Sequence, residues 1–219
     1  MPPPEAIARF VAAVIVGYLL GSTPSGVVVG RLFGNVDPRA HGSGKTGATN
    51  VLRTLGPGPA ALVVLMDAGK GVLTVLLARF VFMPTGAGAT LDMRAWAEAL
   101  AAFAAILGHN YSIFIHFTGG RGVATGGGAI LAINPITFVF SLIAMIVPIA
   151  LTRFVSLGSM LGAATAAVSD VVLVLVGRDQ APHAVFMIAG ATFIILAHRD
   201  NIQRLATGTE RKLGQPRSV

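Results

Sequence analysis

Apolar residues run along this chain in continuous blocks rather than alternating with polar ones. The blocks cover residues 6–30, 58–82, 95–115, 122–133, 136–151, 155–177 and 183–198. Several reach the roughly 20 residues with which a helix crosses a bilayer. Continuity over that length argues for helices and against the period-two pattern of a membrane barrel. The pattern predicts an all-α integral membrane protein of about seven transmembrane helices, some short or broken, forming a single domain over 1–219. The two blocks flanking Asn134-Pro135 are short for a full crossing, and one long kinked helix or a re-entrant pair also fits them.

Composition closes off the soluble alternatives. Of 219 residues 54% are hydrophobic and 11% charged, with a mean hydropathy of +0.76, against the roughly 25% charged residues of a soluble domain. There is no cysteine, which removes disulfides and thiolate metal sites. A formal net charge of +7 would suggest nucleic acid in a soluble protein. Here the cations stand between apolar blocks, where membrane orientation and anionic ligands explain them and no nucleic-acid partner is expected. The first block follows Pro2-Pro3-Pro4-Glu5 with no basic cluster and outruns a signal-peptide core, so it is read as a retained helix.

Orientation follows from the basic residues. Arg31, Arg39, Lys45 and Arg53, then Arg121, then Arg153, then Arg199, Arg204, Arg211, Lys212 and Arg217 all fall on one face if the chain crosses seven times. The other face receives only Arg9, Arg79, Arg94 and Arg178. The expectation is an N-terminus outside, with the C-terminus and the polar motifs in the cytoplasm.

Four polar segments could carry chemistry. His41 to Arg53 combines Gly42, Ser43, Gly44, Lys45, Thr49, Asn50 and Arg53. Glycines let amides turn inward while hydroxyls and cations complete a phosphate cradle. The segment matches G-x-G-x-x-G without a preceding strand, and it ends like a P-loop but has Arg39 where the first glycine belongs, so neither nucleotide fingerprint applies. The second segment repeats the recipe with His109 and then Gly119, Gly120, Arg121 and Gly122. The third, Thr152 to Ser159, places Ser156 at a helix start, where a hydroxyl suits either a phosphate or an ordinary cap. The fourth, His198 to Leu205, includes Asn201 and by itself reads as an amphipathic exit helix. Within the second block, Asp67 and Lys70 share a helix face, so Lys70 is either paired with Asp67 or meets substrate. Asp170 stands alone in the sixth block with no evident partner. No spacing suggests a metal site or a serine-hydrolase elbow, and no cofactor is expected.

Taken together and in this order, these segments resemble the bacterial acyl-phosphate:glycerol-3-phosphate acyltransferase family. The likeness covers nearly the whole chain, from Gly21-Ser22-Thr23-Pro24 through His198–Leu205. It implies a seven-helix enzyme of the inner membrane that takes a fatty acyl group from acyl-phosphate to the sn-1 hydroxyl of glycerol 3-phosphate, giving lysophosphatidate and inorganic phosphate. By position, Ser43 and Arg53 match the family's phosphate site and Arg121 the basic residue of its second glycine-rich motif. Ser156 matches one of a serine pair at bound phosphate, and His198 and Asn201 match the third motif, used around glycerol 3-phosphate. Two departures stand out: Lys45 where the family usually has asparagine, and Val155 where it usually has the other serine.

The expected catalytic set is His198, Ser43 and Arg53. The base is expected to be a substrate phosphate, with His198 positioning the glycerol hydroxyl; His198 or His109 acting directly are the alternatives. A competing class is a small transporter of a phosphorylated solute, which would also use glycines and buried charge.

Overall fold

The computed structural model describes residues 3–84 and 90–215; Pro2 and Arg217, named above, lie outside them. Ten α-helices account for most of the described chain: α1 Pro4–Ser22, α2 Ser25–Gly34, α3 Ala48–Leu55, α4 Pro57–Leu77, α5 Leu91–Asn110, α6 Val123–Ile133, α7 Pro135–Thr152, α8 Val155–Leu175, α9 Ala181–Ala197 and α10 Arg199–Ala206. Their ends follow local chemistry. Block 6–30 is two helices because Pro24 lacks an amide proton and cannot continue α1. Asn35 then closes α2 in the left-handed conformation at φ 47°. Asn134 ends α6 and caps α7, its side chain accepting from the amides of Ile136 at 3.1 Å and Thr137 at 3.3 Å, with Pro135 in the first turn. The Asn134-Pro135 step is therefore a break between two capped helices and not the bend of one.

Four stretches are long and apolar enough to cross a membrane: Pro4–Gly34, Pro57–Phe82, Pro135–Thr152 and Val155–Leu175. Ala181–Ala197 makes a fifth if it is counted with α10, from which it bends by 58°. Helix α5 has 20 residues but carries Asp92, Arg94 and Glu98. Helix α6 has 11, a rise of roughly 16 Å against a hydrocarbon core of roughly 30 Å. Length and composition thus single out four or five spans among the described residues, fewer than the seven apolar blocks.

Small residues let the helices approach. On α1, a Cβ at Gly17 or Gly21 would strike the Ala101 or Ala105 backbone of α5, so these helices run parallel in near backbone contact. Gly158 and Gly162 of α8 bring it against Met145 of α7 in the antiparallel sense. The central cluster is Val75, Ala99, Ala102, Ile106, Ala129, Ile130, Ala166, Phe186 and Met187, drawn from α4, α5, α6, α8 and α9. Helix α7 lies at the edge and exposes Ile136, Val139, Phe140, Ile143, Ile146 and Val147, the surface expected of a helix whose solvent is lipid.

At the bundle end away from the four motifs, buried charges are chained together. Glu98 pairs with Arg79 through two contacts, of 2.9 and 2.7 Å, and with Arg94 at 3.4 Å. His183 Nε2 is 3.4 Å from Glu98, and its Nδ1 is 2.6 Å from Asp179. Asn134 donates to Asp179 at 2.5 Å. Asp170, without a partner in the sequence reading, accepts from the Thr137 hydroxyl at 2.9 Å. The chain ties the ends of α5, α7, α8 and α9 and pairs Glu98 and Asp179 with cations in a medium where an isolated charge is costly, while Asp170 is held by the Thr137 hydroxyl.

Candidate functional site

The first polar segment folds around Asn50. Its Nδ2 donates to the carbonyls of Pro38 at 2.7 Å, Lys45 at 2.8 Å and His41 at 3.0 Å, and its Oδ1 accepts from the Ser43 amide at 3.0 Å. The loop turns at Gly42 and Gly44, whose φ of 62° and 67° lies where a side chain is strained. Ser43 is left exposed at the tip, with Lys45 and Thr49 half-buried beside it. Arg53 follows one turn after Thr49 on α3, whose position in the segment the apolar pattern did not announce. Asn50 faces into the loop and braces it, while Ser43 faces out.

The second segment closes against the first through the Thr46 amide, which donates to the Gly119 carbonyl at 3.4 Å, and is itself folded by the Gly120 amide donating to the His109 carbonyl at 3.1 Å. Gly120 is required by packing: a Cβ there would fall on His109 Nε2. Gly122, at φ 78°, starts α6 in the left-handed region. Behind this turn, Lys70 Nζ lies 2.9 Å from His109 Nδ1, 3.2 Å from the Thr23 carbonyl and 2.9 Å from Asp67 Oδ1. The Asp67–Lys70 pair of the sequence reading is thus present, and it includes His109.

The third and fourth segments meet at a residue that sequence reasoning missed. The carboxylate of Glu210 accepts from the Ser156 hydroxyl at 2.7 Å, from Asn201 Nδ2 at 2.6 Å and from Arg204 Nε at 2.8 Å. Burial opposes its charge, but these hydrogen bonds outweigh it and hold the carboxyl below its ordinary range. The tail is fastened further on, where Arg153 Nη2 donates to the Leu213 carbonyl at 2.6 Å and the Leu213 amide to the Arg153 carbonyl at 2.7 Å. Neither periodicity nor motif spacing marks Glu210; the nearest signal was an acid placed just after the turn at Gly208 in an otherwise basic tail.

Arg53 and Arg121 border the same group. Burial lowers the pKa of both, and each senses Arg204 as a repelling charge and Glu210 as an attracting one. Arginine remains protonated under such pressure. Arg121 Nε donates at 3.3 Å to the Ala197 carbonyl, the residue before His198. His198 is buried, and its Nδ1 lies 2.8 Å from the Ile194 carbonyl. A carbonyl only accepts, so Nδ1 carries the proton and, in the neutral ring, Nε2 is an acceptor. The structure therefore brings Arg53, Arg121, Ser156, His198 and Asn201 around one patch of positive charge and joins the 41–47 loop to the 118–122 turn. Lys70 and His109 form the layer behind.

Fold and site together define a class: a helical membrane protein with a cationic, hydroxyl-bearing cradle assembled from glycine turns at one end of the bundle. The chain belongs to the glycerol-3-phosphate acyltransferase family, whose model matches residues 11–208. It is 46% identical over 212 residues to a glycerol-3-phosphate acyltransferase of Trichormus variabilis, covering 93% of this chain and 92% of that one. It is 40% identical to glycerol-3-phosphate acyltransferase 3 of Dehalococcoides mccartyi, covering 95% and 98%. Among solved structures it is similar to PlsY (YgiH), an integral membrane glycerol 3-phosphate acyltransferase. The glycerol 3-phosphate form of PlsY superposes with a TM-score of 0.81 at 36% identity, covering 94% of this chain and 96% of that one. The lysophosphatidic acid form gives 0.79, also at 36% identity, covering 94% and 95%.

Proposed function

We propose that this protein transfers a fatty acyl group from acyl-phosphate to the sn-1 hydroxyl of glycerol 3-phosphate, releasing lysophosphatidate and inorganic phosphate. The observation that carries the reading is the meeting of Arg53 and Arg121 beside two glycine turns, with neither arginine in an ion pair within 4 Å among the described residues. Two guanidiniums in one place with no carboxylate paired to either suit two phosphorylated substrates, and the similar PlsY is solved in a glycerol 3-phosphate form and a lysophosphatidic acid form. Acyl-phosphate is already an activated anhydride, so catalysis needs mainly to juxtapose two anions and stabilise charge at the carbonyl.

In this reading Gly42, Ser43, Gly44, Lys45 and Thr49 present amides, hydroxyls and one ammonium to phosphate, and Asn50 holds that loop in shape. Arg53 and Arg121 neutralise the phosphates, and Gly120 and Gly122 let the Arg121 turn approach them. His198 accepts a hydrogen bond from the glycerol hydroxyl at Nε2; as that oxygen bonds to the acyl carbon and the bond from the acyl carbon to phosphate breaks, the leaving phosphate takes the proton. Asn201 and Ser156 hold the wall of the cradle through Glu210, with Ser156 turning toward phosphate when it binds. The bilayer supplies the acyl chain. With each of the seven apolar blocks counted as a crossing, the distribution of arginines favours a cradle on the cytoplasmic side of the bacterial inner membrane and an N-terminus outside.

Arg53 tests this directly. Arg53→Ala should lose about 1.5–3 kcal/mol of transition-state binding, the contribution typical of a hydrogen bond to a charged group, while the protein still inserts and melts near the native temperature. Arg53→Lys should recover part of the loss, because it restores charge without the guanidinium fork. Native activity in folded Arg53→Ala would remove Arg53 from the site.

A further inference from the structure

Two histidines border the cradle, and the groups around them set their protons differently. His198 gives its Nδ1 proton to the Ile194 carbonyl, leaving Nε2 bare in the neutral ring. His109 has the opposite arrangement. Its Nδ1 lies 2.9 Å from Lys70 Nζ, and only one proton fits between two nitrogens at that distance. Lys70 also donates to the Thr23 carbonyl at 3.2 Å and stands in an ion pair with Asp67 Oδ1 at 2.9 Å. The side chains of Asp67 and His109 are 2% and 6% exposed, too closed for the Asp67 charge to stand without one compensating cation.

That balance is met in two ways. Either Lys70 is charged and donates to a bare Nδ1, or Lys70 is neutral and the imidazole carries both protons. Nε2 holds a proton in each case. Nε2 forms no hydrogen bond among the described residues, and it occupies the place a Gly120 side chain would take, next to Arg121.

We infer that the Asp67–Lys70 pair fixes His109 with its proton on Nε2, so that His109 donates a hydrogen bond to a phosphorylated substrate at the Gly120–Arg121 turn and is not the general base. Lys70 is then a positioning residue that acts through the ring, and Gly120 is the opening through which the ring reaches the anion. The identity of that anion rests on the acyltransferase reading; the proton's position does not.

The test is made on the full chain in lipid nanodiscs, with histidine labelled at both ring nitrogens and the His109 signals assigned by their loss in His109→Gln. The native protein should show a protonated Nε2 at neutral pH, and titration with inorganic phosphate should shift that signal. In Lys70→Met, Nδ1, which has Asp67 Oδ1 at 3.4 Å, should gain a proton while Nε2 keeps its own, the imidazolium replacing the lost ammonium. In steady-state assays, His109→Gln keeps a donor near the Nε2 position and should hold KM for glycerol 3-phosphate within about threefold. His109→Asn places its amide near Nδ1 and should raise KM about tenfold with kcat little changed. A bare Nε2 in the native protein would overturn the inference whether or not the enzyme turns over. So would a folded His109→Gln that loses kcat by orders of magnitude, as removal of a base requires. If acyl transfer itself is absent, the nitrogen signals and the phosphate titration still decide the proton's position, which separates failure of this inference from failure of the functional reading.

Discussion

At the scale of single residues, charge in this protein is placed in company. Glu210 joins a hydroxyl, an amide and a guanidinium from α8 and α10, and its behaviour with pH has a definite sign. Its folded pKa is depressed below the ordinary 4.5, so its contribution is complete above that value and is lost as pH falls through the lower folded value. Glu210→Gln should therefore lower stability by roughly 1–3 kcal/mol at pH 7, the usual cost of leaving buried donors poorly satisfied. Thermal melts of the two proteins should converge as pH falls below about 4.5. An equal gap at pH 7 and pH 4 would mean that the carboxylate charge is not what Ser156, Asn201 and Arg204 hold. Much of the candidate site was legible in sequence because glycine, hydroxyl and cation cluster within short segments. Glu210 was not, since its partners lie 6, 9 and 54 positions away and no local pattern encodes such a meeting. Asp170 was opaque for the same reason: its partner Thr137 is on another helix, 33 positions distant.

At the scale of elements, glycines divide into those that a neighbour forbids from growing and those with room. A Cβ at Gly120 would enter the His109 ring, whereas at Gly126 it would meet only the flexible ends of Ile106 and Ile194, at 3.3 and 3.5 Å. Gly120→Ala should reduce kcat/KM by at least about tenfold, because a shift of about 1 Å at a cradle residue is enough to misplace substrate. Gly126→Ala should stay within about twofold, and kinetics of the two variants side by side check the geometry of the turn. The chain of charges at the opposite end invites a complementary change. Arg79→Ala leaves the carboxylate of Glu98, 4% exposed, with only its longer contacts to Arg94 and His183. It should cost about 3–5 kcal/mol of stability, as breaking a buried pair does, with turnover per folded molecule unchanged; a large loss of turnover in the folded fraction would mean that the two ends are coupled. Helix positions were readable from apolar blocks, but their breaks depended on single residues. Pro24 split the first block, the side-chain cap from Asn134 settled the break before α7, and α3 lay hidden in a segment too polar to register as a helix.

At the scale of the whole molecule, α1 and α4–α9 form an apolar bundle that holds a cationic cradle at one end and a closed charge chain at the other. That polarity fits the proposed transfer, in which one substrate comes from the bilayer, the other from water, and the two meet at the cationic end. The most direct measurement is phosphate release by the purified protein in lipid, given palmitoyl-phosphate with and without glycerol 3-phosphate and with acyl-CoA as a control donor. Release that requires both palmitoyl-phosphate and glycerol 3-phosphate, matched by lysophosphatidate formed, is the expected result. Folded protein that releases no phosphate, or that acylates glycerol 3-phosphate from acyl-CoA instead, would contradict it.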